Sequence, residues 1–155
     1  MTYSALIPSA LIGAVASARS MTPMATIATA RLAGRSMPGR LFLLDHPLFK
    51  FGALAMGAGE LFGDKMKSAP DRTVFPGLLA RVMSAGIAGA ALAPRGREKA
   101  GAALAVATAV PLAYATLAGR KRAMKAIGQT QSGLIEDALI AAAGAAIVAL
   151  VARRA

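Results

Sequence analysis

The sequence predicts an all-α fold, a polytopic transmembrane helical bundle of four or five membrane-crossing helices, the first of them broken near Arg19–Pro23. Three observations predict it. Of the 155 residues, 56% are hydrophobic and the mean hydropathy is +0.56, above the ~45–50% apolar content usual for soluble domains. A globule this small would need more polar surface than that. The apolar mass is mainly Ala, Gly and Leu, small side chains that let helices approach closely in lipid. The charges, finally, sit in short groups between the apolar runs.

Crossing the hydrocarbon takes about 20 apolar residues, with a range of about 17–25. Tyr3–Ala18 is short but uncharged. Leu48–Gly63 carries Lys50 near its start and Glu60 near its end. Gly77–Ala93 carries Arg81 one turn in, Gly101–Gly119 is the cleanest span, and Gly133–Ala152 is the longest once its leading Glu136-Asp137 pair is allowed for. Asp45 and Pro47 read as cap and start before Leu48, Pro76 opens the next span, Pro94 closes it, and Ser132 can cap the last. Pro111, inside the fourth span, frees the carbonyl of Ala107 and kinks the helix unless a neighbour or the Thr108 hydroxyl compensates. The chain reads as one domain, residues 1–155. "ASA" at 16–18 resembles a signal-peptidase site, but "MTY" supplies no positive n-region, so the first segment reads as retained.

The net charge of +11 raises the possibility of nucleic-acid binding, which the distribution argues against. No stacking aromatics interleave the cations, and their spacing is that of loops beside an anionic bilayer. With alternating sides, the loops at 31–50, 95–99 and 153–154 hold nine Lys and Arg, those at 65–72 and 120–125 hold seven. That difference is too small to orient the chain. Small residues recur every four positions at Ser9/Gly13/Ser17, Ala55/Gly59/Gly63, Ala85/Gly89/Ala93 and Ala142/Ala146. Such strips serve packing within the chain or association into a homo-oligomer or larger membrane complex.

The polar residues inside these runs are the candidate site. Arg19 is followed by Thr22 as cap and Pro23 in a first turn, so a second short helix starts beside a guanidinium. That end suits an anion or an acidic partner; alternatively Arg19 ends the first span at the headgroups. Glu60 and Asp64 share a helix face, and a carboxylate one turn inside an apolar span calls for a partner. Arg19, Arg72 and Arg81 are the candidates. A transport site and a charge-paired clamp between helices both fit. Glu136 and Asp137 suit the start of the last helix, and at about 100° apart at most one of them is expected to face the interior. A lone His46 and no cysteine offer no metal or cofactor site, and no nucleophile–base pattern or phosphate loop points to an enzyme.

The stretches "RSMTP" at 19–23, "GELFGDK" at 59–65, "PDRT" at 70–73, "LLARVMSAGIAGAAL" at 78–92 and "IEDALI" at 135–140 resemble a bacterial family of small integral membrane proteins catalogued as domain of unknown function 4126. The resemblance runs from Arg19 to Asp137. It implies an all-helical inner-membrane protein and singles out the same polar residues. The functional expectation is a transporter or channel for a small ion or solute, with Arg19, Thr22, Glu60, Asp64, Arg72 and Arg81 on its pathway and Glu136 and Asp137 secondary. The alternative is a structural or assembly subunit of a larger membrane complex.

Overall fold

The computed structural model describes residues 3–63 and 75–154. Within them a 3-10 turn at Tyr3–Leu6 leads into α1 (Ile7–Ala18), followed by α2 (Thr22–Leu32), α3 (Pro47–Gly63), α4 (Phe75–Leu92), α5 (Glu98–Ile127) and α6 (Gln129–Val151). Two short strands, β1 (Arg35–Ser36) and β2 (Arg153–Arg154), pair antiparallel. Three of the helices, α4, α5 and α6, are long and apolar enough to cross a membrane, and α1 is a shorter apolar helix. The count of four or five spans is therefore not met by length and composition alone. The reason lies in α1 and α3, whose 12 and 17 residues give rods of about 18 and 26 Å at 1.5 Å per residue.

The centre is a three-helix wedge of α1, α4 and α5. Ser9 donates its hydroxyl to the Gly89 carbonyl at 2.8 Å, and a methyl on Gly13 would collide with the Ala105 carbonyl. A methyl on Gly89 would meet Ala105 and the Gly101 carbonyl. The strips Ser9/Gly13/Ser17 and Ala85/Gly89 thus face one another inside the chain, where small side chains let backbones touch. Ala55, Gly59, Ala142 and Ala146 of the other two strips lie on the outside.

The break between α1 and α2 is also a reversal. α1 runs antiparallel to α4, with Ser9 beside Gly89 and Ser17 beside Arg81. α2 then returns antiparallel to α3, with Met21 against Glu60 and Ala25 against Gly57. The amide of Gly39, a few residues past α2, donates to the Ala91 carbonyl at 2.9 Å. The N-terminus of α1 and the C-terminus of α2 therefore lie at the same end of the bundle, and Arg19–Met21 forms the tip of a helical hairpin between them.

Several boundaries differ from the sequence reading. α5 continues through Pro111 to Ile127, so the cations at 120–125 ride on a helix instead of a loop. The Thr108 hydroxyl bonds the Leu104 carbonyl at 2.9 Å. α6 starts at Gln129, immediately after Gly128, whose φ of +85° is a conformation that glycine adopts without Cβ strain. Ser132 is consequently inside α6, its hydroxyl bonding the Gly128 carbonyl at 2.8 Å. Asp45 closes a 3-10 turn, Phe42–Asp45, and pairs with Arg31 instead of capping α3.

Candidate functional site at the helix break

A broken helix exposes carbonyls on one side of the break and amides on the other. In hydrocarbon each such group left unpaired costs several kcal/mol. Here both sides are supplied by other helices. On the α1 side the Ser17 carbonyl accepts from Arg81 Nε of α4 at 3.1 Å and, more weakly, from the Thr116 hydroxyl of α5 at 3.4 Å. Arg81 is 4% exposed and also bonds the Gly77 carbonyl of its own helix through a terminal nitrogen at 2.8 Å. A guanidinium at a helix C-terminus also meets the negative end of the helix dipole.

On the α2 side the acceptor is Glu60. Its Oε1 accepts from the Ser20 amide at 2.7 Å and the Ser20 hydroxyl at 2.6 Å, and its Oε2 accepts from the Met21 amide at 2.8 Å. Thr22 does not cap; it is the first helical residue, after an N-cap at Met21 that makes no side-chain capping bond. Pro23 carries no N–H to satisfy. The acidic partner expected at this end is thus a carboxylate from α3, and a negative charge there meets the positive end of the α2 dipole.

Arg19 is fully buried, 0% exposed, and forms an ion pair with Asp137 of α6. It is turned into the bundle, not outward to headgroups. Glu136 pairs with Arg120 of α5 at 2.9 Å. Both acids of the adjacent pair therefore meet a cation, on different neighbours. Their directions diverge, and α6 has a partner on each side, the hairpin tip and α5. Arg19, Glu60, Arg81, Glu136 and Asp137 come together around the tip, while Asp64 and Arg72 lie outside the described residues.

Ser20, Thr116 and Arg120 also belong to this arrangement, beyond the candidate residues that the sequence singles out. Ser20 sits in the quoted "RSMTP" motif and was legible by position. Thr116 and Arg120 could be found only from the packing of α5 on α1 and α6.

Two clefts flank α3. One, of about 560 Å³, is lined by Thr22, Thr26 and Thr29 of α2 together with mainly apolar residues, among them Leu54, Leu61 and Ala145. The other, of about 580 Å³, runs between α3 and α4 past Met21, Met24, Met56 and Met83, with Ser84 of α4 along its wall. The Ser84 hydroxyl is buried without a hydrogen-bond partner. A third space of about 330 Å³ touches Thr116, Arg120, Ser132 and Glu136. The break thus gathers two acids, Glu60 and Asp137, and two guanidiniums, Arg19 and Arg81, with the Arg120–Glu136 ion pair beside it and a largely apolar cleft opening next to Thr22. Such a set of donors and acceptors can bind charged or polar groups. No family model, curated protein or solved structure matches this chain.

Proposed function

We propose that the protein is a transporter or channel for a small ion or solute, working at the α1–α2 tip. The observation that carries this reading is the position of Glu60: a carboxylate lying across the amides of a helix break, next to the buried Arg19–Asp137 pair. Ionisable groups inside membrane segments are expensive, and discontinuous helices are a common way to build transport sites. In this reading α3 joins α4, α5 and α6 as a fourth crossing helix, and α1–α2 enters and leaves by the same face. The chain is a multi-pass protein of the bacterial inner membrane, in keeping with its resemblance to the family of domain of unknown function 4126. Arg19, Thr22, Glu60, Arg81 and Asp137 serve the pathway, and Asp64 and Arg72 are assigned to it from the sequence alone.

The test is flux in proteoliposomes across a panel of ions and small solutes. Wild type is expected to conduct at least one of them, and Arg19→Ala and Glu60→Gln to abolish that flux while still inserting. Unchanged flux in both variants, or none in wild type, contradicts the reading.

A second reading, a subunit of a homo-oligomer or larger complex without transport activity, is favoured by the outer face of α3. Among the described residues nothing lies within 4 Å of a Cβ added at Gly52 or Gly59, and Ala55 between them is exposed. It predicts a stoichiometric partner in mild detergent that is lost on Gly59→Leu.

A further inference from the structure

We infer that α3 is a hinged arm, pivoted where Pro47 follows the Arg31–Asp45 pair and latched to the helix break by the Glu60 carboxylate. The inference rests on the transport reading for its purpose, as the gate of that site, while its geometry stands independently.

Three observations carry it. First, α3 packs along α2 and against the 3-10 turn that precedes it, and among the described residues no extended packing joins it to α4, α5 or α6. A helix held along one side only has few interfaces to break when it moves. Second, the clefts of about 560 and 580 Å³ lie on the two sides of α3, so tilting it moves it into open space instead of packed side chains. Third, its two ends are fastened by different means. At the start, Asp45 pairs with Arg31 of α2, and the amides of Phe49 and Lys50 both donate to the His46 carbonyl, at 3.0 and 3.2 Å. At the far end the polar fastening among the described residues is the three hydrogen bonds to Glu60.

Between the two ends, contact is made over a smooth surface. A methyl on Gly57 would lie 2.9 Å from the Ala25 Cβ, so the backbones approach closely without interlocking knobs. Releasing Glu60 frees the Ser20 and Met21 amides beside Arg19 and opens the tip toward the cleft at Thr22. Engaging it covers them. The carboxylate thus decides whether the break is covered, and α3 carries it.

The chain has no cysteine, so pairs of introduced cysteines can carry spin labels in proteoliposomes. Phe62→Cys with Leu139→Cys reports the latch end, and Leu48→Cys with Leu104→Cys the pivot end; all four positions are exposed. Glu60→Gln keeps one acceptor but turns an N–H donor toward the backbone amides. It is expected to shift the latch-end distance distribution to longer values and broaden it, while the pivot-end distribution stays as in wild type. Ser20→Ala, which removes one of the three bonds, is expected to give a smaller shift in the same direction, and it decides the matter if Glu60→Gln does not fold. Latch-end distributions superimposable on wild type in the variants that fold overturn the arm, as does an equal shift at both ends. The readout needs no flux: absent wild-type transport with a shifted latch removes the transport reading alone, and intact transport with an unshifted latch removes the arm alone.

Discussion

Arg81 of α4 donates from Nε to the carbonyl oxygen of Ser17 in α1, 3.1 Å away, and so closes a helix end that belongs to another part of the chain. The same helix break is closed from its other side by Glu60 of α3. Two residues of opposite charge, 21 positions apart in sequence, complete the backbone of a hairpin neither belongs to. This explains why each stands one turn inside an apolar run, where a charge is otherwise unfavourable.

Replacing Arg81 with Met removes the donor to Ser17 and leaves that carbonyl dependent on the weaker Thr116 contact. The expected loss is about 1–3 kcal/mol, the cost of an unsatisfied buried acceptor. Arg81→Lys keeps the charge but not the fork that reaches Ser17 and Gly77 together, and should fall between. Unfolding in mixed detergent–SDS micelles checks the order.

Arg19→Met leaves Asp137 facing a buried site without its cation, and breaking one side of such a pair costs about 3–5 kcal/mol. Asp137→Leu alone should cost a similar amount. The double variant should recover a large part of the loss, because two apolar groups then replace the pair. A double-mutant cycle measured by the same unfolding titration gives the coupling; simple additivity would mean the two residues do not act as a pair.

Gly13→Leu and Gly59→Leu separate packing within the chain from packing between chains. The first drives a side chain into the Ala105 backbone, parting α1 from α5, and should abolish folding or lower the melting temperature sharply. At the second, an added Cβ has nothing within 4 Å among the described residues, and the change should leave stability close to wild type. Thermal unfolding in detergent by circular dichroism distinguishes them.

What the sequence made legible follows from local chemistry. "RSMTP" announces a break because Pro fixes a helix start and the residues ahead of it carry the turn; the break is there, with α2 starting at Thr22 and Met21, not Thr22, at the cap position. The Ser9/Gly13/Ser17 strip announced a close approach because only small side chains permit one. What a neighbouring helix decides was not legible. Glu60 was expected to seek a guanidinium, yet it holds backbone amides, since the tip of the α1–α2 reversal presents them to α3. Arg19 found Asp137 across 118 positions, and no spacing rule reaches so far. The reversal itself was also hidden: a break in sequence does not reveal whether the second half-helix continues onward or folds back. Hydropathy counts apolar length and not direction, so it does not distinguish a crossing helix from half of a hairpin; by length and composition three of the described helices qualify to cross.

The central claim is that the α1–α2 tip is a polar, water-reached site within the membrane. Cysteine accessibility in proteoliposomes tests it most directly, using single variants of this cysteine-free chain and a membrane-impermeant thiol reagent. Thr22→Cys, beside the tip and lining the cleft, is expected to react, while Leu150→Cys, on the exposed outer face of α6, stays protected by lipid. Protection of both positions would mean the tip is dry, and the charges there would then serve only to hold helices together.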